Sequence, residues 1–123
     1  MTKDEFLEYC LTIGGAEADQ PFDEDFESWV VRHGDSRKWF ALLMLHDGQW
    51  IVNLKCDPQE ADFLRSVYKG VTAAYHMNKV HWNTVYLDSD VPREEIERMT
   101  MNSFALTARK SAAASRRKKD GKQ

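Results

Sequence analysis

The chain has 123 residues, 42% of them hydrophobic and 30% charged, the makeup of one soluble domain able to bury roughly 65–70% of its extended surface. Its net charge of −3 is unevenly spread: residues 107–123 hold seven Lys and Arg against Asp120 (7 − 1 = +6), which leaves ten cations and nineteen carboxylates (−9) in residues 1–106. No apolar run approaches the roughly 20 residues of a membrane span, and the start Met1-Thr2-Lys3-Asp4-Glu5 lacks the apolar centre of a signal peptide, so a cytoplasmic protein with no membrane partner is expected.

A first helix is predicted over residues 3–13. Thr2 and Glu5 form a capping box, Phe6, Cys10 and Ile13 fall on one face, and Gly14-Gly15 stops the helix. Residues 16–27, acidic and broken by Pro21, read as an exposed connector. Three strands follow, over residues 29–33, 38–45 and 50–55, the last two joined by a tight turn at Asp47-Gly48. The middle strand is apolar on both faces and is therefore central. Asp57, Pro58 and Glu60 start a second helix with Ala61, Leu64 and Tyr68 as its buried stripe, Phe63 and Val67 beside it and Gly70 as its stop. Two further strands are expected over residues 71–77 and 82–87. Ser89-Asp90-Val91-Pro92 opens a third helix whose face is Ile96, Met99, Ser103 and Leu106.

The order helix, three strands, helix, two strands, helix closes most simply as a two-layer α+β fold, a mostly antiparallel five-stranded sheet with helices on one face. The domain is expected over residues 1–106. Residues 107–123, with no amphipathic pattern long enough to dock, are expected to be a basic, disordered tail.

The densest chemistry lies in residues 75–85: Tyr75-His76-Met77-Asn78-Lys79, then Val80, then His81-Trp82-Asn83-Thr84-Val85. These runs, with Leu54-Lys55-Cys56-Asp57-Pro58 and the approach to the last helix from Asp88 to Pro92, resemble the signature of the MmcQ/YjbR family across roughly residues 2–106. The resemblance implies a small two-layer fold similar to secretion chaperones, and a DNA-binding role through a double-wing arrangement of β-hairpins. It implies no enzymatic activity and no cofactor. Val80 stands where the family often has a basic residue, which removes one phosphate contact, and the basic tail extends beyond the family's core.

Read as chemistry, the segment supplies donors: the Lys79 ammonium, the Asn78 and Asn83 amides, the Trp82 indole and the imidazoles of His76 and His81. Such groups suit phosphate oxygens, while Tyr75 and Trp82 offer rings for an unpaired base. Lys55 joins Lys79 in a small basic site if their strands are neighbours. The candidate nucleic-acid or anion contacts are thus Lys55, Tyr75, His76, Asn78, Lys79, His81, Trp82 and Asn83. The rival reading is structural: the same asparagines and histidines tie down a tight connection between strands.

Catalysis and metal binding find little support. The five-residue spacing of His76 and His81 matches no established metal site, Cys10 and Cys56 form no CxxC pair, and there is no HExxH, GxSxG or phosphate-binding glycine loop. Cys56 precedes a helix N-terminus, where a thiolate is stabilised, but strand-end packing is its simpler role. The leading expectation is therefore a monomeric, non-enzymatic DNA-binding protein. The alternative is a protein-interaction or chaperone-like module with no nucleic-acid role. The tail adds an electrostatic arm, directed either at phosphates or back at the acidic N-terminal segment.

Overall fold

The computed structural model describes residues 1–108. Helix α1 (Lys3–Leu11) starts from the predicted capping box, with the Thr2 hydroxyl accepting from Glu5 N at 3.1 Å and the Glu5 carboxylate from Thr2 N at 2.8 Å. It ends two residues before the expected Ile13. The N–H groups of Thr12 and Ile13 bond back only three residues, to Tyr9 and Cys10, and Gly15 at φ +85° turns the chain into the sheet.

The sheet has six strands, not five. β1 (Ala16–Asp19) pairs with β2 (Trp29–His33), and β3 (Trp39–His46), β4 (Gln49–Lys55), β6 (Trp82–Tyr86) and β5 (Val71–Ala73) complete an all-antiparallel sheet in the order β1-β2-β3-β4-β6-β5. The extra strand comes out of the predicted acidic connector. Ala16 and Ala18 pack toward the core, while Glu17 and Asp19 alternate to the other side and bind Arg37 and Arg32. Four residues with two carboxylates carry little strand propensity, so tertiary pairing decides here.

Helix α2 (Pro58–Val67) is capped by the Asp57 carboxylate, which accepts from Gln59 N at 3.0 Å, and buries Ala61 and Leu64. It ends at Val67 rather than at Gly70. Phe63 and Val67, expected beside the buried stripe, are 64% and 48% exposed. Helix α3 (Arg93–Thr107) begins after Pro92, later than the predicted start at Ser89. Asp90 is not its cap: its carboxylate accepts from Lys69 N and Gly70 N at 2.8 and 2.7 Å and clips the end of α2 to the approach to α3.

The three helices share one face of the sheet, with Phe6, Leu43, Val52, Leu54, Leu64, Val85 and Ile96 in the common core. At the β2–β3 register shift, Val31 opposes Ala41 and Arg32 opposes Trp39, so Phe40 is the extra residue of a bulge. Phe40 and Ala41 therefore both join the helix-side core, and Phe40 meets Phe104 of α3 edge-on with centroids 5.0 Å apart. Ser103 seals this end: its hydroxyl donates to Phe40 O at 2.5 Å and accepts from Lys55 N at 2.9 Å, where the β3–β4 ladder stops.

Thr107, assigned by the sequence to the tail, is the last residue of α3. It is buried, with its hydroxyl 2.8 Å from His33 Nε2. The rest of the predicted tail, from Arg109, lies outside the described residues. Among the described residues no helix is long and apolar enough to cross a membrane.

Candidate nucleic-acid interface

The face of the sheet opposite the helices carries the signature. Residues 71–77 were expected as one strand, but pairing stops at Ala73, because side chains of the neighbouring strands capture the next backbone groups. Asn53, fully buried on this face, donates from Nδ2 to Tyr75 O at 2.8 Å. Thr84, its cross-strand partner, accepts from Tyr75 N at 2.8 Å and donates its hydroxyl proton to Asn53 Oδ1. Two side chains thus replace the ladder and hold Tyr75 above the sheet. His76 follows at φ +62°, a left-handed backbone that directs the chain away.

The remaining connection is pinned from the helix side. Asn78 Oδ1 accepts from Val80 N and His81 N at 2.9 and 3.1 Å, an Asx turn, and Lys79 Nζ donates to Ala74 O at 2.6 Å across the loop. Arg65 of α2 donates from Nε to Asn83 Oδ1 at 2.7 Å and from its terminal nitrogen to the carbonyls of Lys79 and Trp82. Asn83 also donates to Ala61 O at 3.3 Å, and Cys56 N donates to His81 O at 2.9 Å.

The eight candidate residues therefore divide. Asn78 Oδ1, the Lys79 ammonium and both amide atoms of Asn83 are bonded within the fold, which the structural reading expected of the asparagines. Tyr75, His76 and His81 are exposed, and Trp82 and Lys55 partly so. Tyr75 is 37% exposed and touches two imidazoles, with ring centroids 4.2 Å from His46 and 3.9 Å from His76. Lys55 and Trp82 are register partners, and the Lys55 ammonium has no hydrogen-bonding or ion-pair partner among the described residues. Sequence reasoning placed Lys55 and Lys79 in one basic site. The strands of Lys55 and Trp82 are indeed neighbours, but Lys79 Nζ is turned to its own loop.

Sequence reasoning missed Asn53, Arg65 and His46 as parts of this site, and it kept Thr84 in the segment without naming it as a contact. Asn53 carried a signal, a polar residue amid an apolar central strand; for Arg65 the partners lie 14 to 18 residues away and nothing local marks them. Electrostatically the described chain is restrained. Each of its five arginines is within 4.0 Å of a carboxylate: Arg32 with Asp19, Arg37 with Glu17, Arg65 with Asp62, Arg93 with Glu5 and Arg98 with Glu60. The cysteines are not activated: burial pushes the Cys10 thiol up to about 12, and burial with nearby Glu60 and Asp57 pushes Cys56 up to about 11. Among the described residues no group of three or more His, Cys, Asp or Glu is arranged to hold a metal.

Comparison with known proteins meets the same residues. The YjbR family model matches residues 11–106. The Escherichia coli K12 protein YjbR is 35% identical over 96 residues, 78% of either chain, and Bacillus subtilis YyaQ is 29% identical over 117 residues, covering 87% of this chain and 98% of its own; both carry names that mark them as uncharacterised. A crystal structure from Pseudomonas syringae superposes with a TM-score of 0.80 at 32% identity, over 88% of this chain and all of that one. One from Deinococcus radiodurans gives 0.79 at 27% identity, over 94% and 86%. With the segment from Tyr75 to Val85 inside the matched region and the three-helix, antiparallel-sheet architecture shared, the chain belongs to the YjbR family.

Proposed function

We propose that this protein is a non-enzymatic nucleic-acid-binding protein, cytoplasmic and monomeric, that engages DNA through the open face of its sheet. One observation carries the reading: the 74–81 connection is held by its polar atoms and presents its rings. The Tyr75 backbone, Asn78 Oδ1 and the Lys79 ammonium are internally bonded, which leaves the part-exposed Tyr75 ring, beside His46 and His76, as a fixed stacking surface. Lys55 beside Trp82 supplies an uncommitted cation on the same face, and the +6 tail supplies the long-range attraction that the −9 body lacks.

Rings and a lone lysine favour unpaired bases over duplex DNA, since every base has a π-face and duplex bases are already stacked. The test is fluorescence anisotropy with a labelled thymidine 15-mer and its duplex, at two salt concentrations, using the full chain and Tyr75→Ala. The substitution removes the ring and keeps the backbone bonds to Asn53 and Thr84. Stacking is worth about 1–3 kcal/mol per base, so single-strand affinity should drop by roughly 5- to 150-fold with an unchanged melting temperature. Equal affinities for wild type and Tyr75→Ala, or no binding at low salt, would reject the reading.

A second reading, a protein-interaction module, is favoured by one separate feature. Phe63 and Val67, one turn apart on α2, stand 64% and 48% exposed, an apolar strip on the helical layer rather than on the open face. Phe63→Ser would impair such an interaction and leave DNA binding untouched.

A further inference from the structure

The row of side chains that carries Tyr75 continues past it. On β6, Asn83 bonds to α2 and Val85 joins the core, so both face the helices, and Trp82, Thr84 and Tyr86 alternate onto the open face. Tyr75 is anchored on the middle member, Thr84. Trp82 then lies one two-residue step to one side and Tyr86 one step to the other, each step about 6.8 Å at the ordinary antiparallel rise.

Tyr86 is not packed away. It is half-buried and borders an open cavity of about 460 Å³, with Gln49, Lys69 and Thr72 around it. Thr72 and Thr84 are register partners, which puts the cavity on the Tyr75 side of the sheet. Gln49 is the register partner of His46, whose imidazole lies against Tyr75, so the cavity begins one strand beyond the Tyr75 rings. Among the described residues the Tyr86 hydroxyl, the Gln49 amide and the Lys69 ammonium form no hydrogen bond, and Lys69 has no carboxylate within 4.0 Å. Ser89 and Asp90, also in the lining, are engaged: the Ser89 hydroxyl donates to Tyr86 O at 2.7 Å, and the two Asp90 oxygens accept from Lys69 N and Gly70 N. The cavity thus joins one aromatic ring to one cation, at a volume within the roughly 300–1,000 Å³ of small-ligand sites.

We infer that this cavity is a second nucleotide subsite, an extension that rests on the nucleic-acid reading above. It takes the base next to the one stacked on Tyr75, with Tyr86 as its stacking ring and Lys69 against the phosphate. The spacing selects the ligand. A step of about 6.8 Å is twice the roughly 3.4 Å rise per base along one duplex strand, so neighbouring bases reach Tyr75 and Tyr86 only when unstacked. A single strand laid along β6 meets Lys55 and Trp82 at one end and Lys69 and Tyr86 at the other, with Tyr75 between them.

The test titrates the full chain, Tyr86→Ala, Lys69→Gln and Tyr75→Ala with the labelled thymidine 15-mer. Tyr86→Ala should weaken single-strand binding by roughly 5- to 150-fold, the contribution of one stacked base. Lys69→Gln should weaken it as well and flatten the salt slope by about 0.7, as for one phosphate contact. Because Tyr86 is half-buried, a second measurement uses the unaltered chain. Titrated with the thymidine dinucleotide, the amide signals of Gln49, Lys69, Thr72 and Tyr86 should shift together with those of Tyr75 and His76, and the mononucleotide should bind more weakly. Two results overturn the subsite and leave the Tyr75 surface standing: 15-mer binding that Tyr75→Ala weakens but neither Tyr86→Ala nor Lys69→Gln changes, or dinucleotide shifts confined to residues 75–82. Absence of single-strand binding at low salt overturns both.

Discussion

Asn53→Ala is the substitution that most directly probes how the signature loop is held. Asn53 is fully buried and makes two hydrogen bonds, from Nδ2 to Tyr75 O at 2.8 Å and from the Thr84 hydroxyl to Oδ1. Truncation leaves the Thr84 hydroxyl proton, buried at 2% exposure, without its acceptor, and frees the Tyr75 carbonyl at a half-buried position that water can reach. An orphaned buried group costs about 1–3 kcal/mol and a lost, resolvated bond about 0.5–1.5, so the expected loss is roughly 2–4 kcal/mol. For a domain of this size that lowers the melting temperature by about 8–15 °C. The assay is thermal and urea unfolding of wild type, Asn53→Ala, Thr84→Val and the double variant. Because both residues act on Tyr75 and on each other, the double variant should be less destabilised than the sum of the singles by about 1 kcal/mol or more. Amide exchange at Tyr75 should accelerate in all three variants. A single-variant loss below 0.5 kcal/mol, or strict additivity, would refute the view that a side-chain pair replaces the β5–β6 ladder.

Other positions give equally direct expectations. Ser103→Ala removes the bridge between Phe40 O and Lys55 N and should cost about 2–4 kcal/mol in urea unfolding, whereas Ser103→Thr, which keeps the hydroxyl, should cost less. Gly70→Ala places a Cβ 2.1 Å from Ser89 Oγ and 2.5 Å from Ser89 Cβ, so it should destabilise clearly, and Ser89→Gly in the same chain should relieve most of the loss. Two backbone N–H groups, of Lys69 and Gly70, hold the Asp90 carboxyl below the ordinary aspartate range. A pKa depressed by folding adds stability that is present above the unfolded-state value and is lost as pH falls through the folded one; an Asp90→Asn variant should therefore show a shallower decline in melting temperature below about pH 4. Lys79→Ala removes the bond to Ala74 O and should lower stability by about 1 kcal/mol while changing single-strand affinity less than threefold, the reverse of Tyr75→Ala.

Much of this architecture was legible because local signals and tertiary packing agree. The Thr2–Glu5 box, the Asp57-Pro58 start, the Asp47-Gly48 turn and the doubly apolar central strand each specify one element and each appear where expected. Disagreements occur where a distant side chain overrides local propensity. Tyr75-His76-Met77 has good strand composition, yet Asn53, 22 residues away, and Thr84 lift Tyr75 off the sheet. Ala16 to Asp19 has poor strand composition, yet β2 offers an open edge and the core accepts both alanines. Ser89 to Pro92 reads as the opening of a helix, but the free N–H groups at the end of α2 claim the Asp90 carboxylate and the helix starts only at Arg93. In the candidate site the residues were identifiable from composition and resemblance. What the sequence does not carry is which atom of each is already bonded, and that distinguishes the held Lys79 from the uncommitted Lys55.

That distinction also bears on how a chain with a −9 body can bind a polyanion at all. Its five described arginines neutralise carboxylates of the same surface, and exposed pairs of this kind contribute little stability, so their main effect is to remove cations from the reach of a phosphate. On the proposed nucleic-acid reading, long-range attraction then falls to the tail, and short-range discrimination to Tyr75, Trp82 and Lys55. On that reading the salt slope of binding should follow the seven cations of residues 109–122 more than Lys55 on the open face.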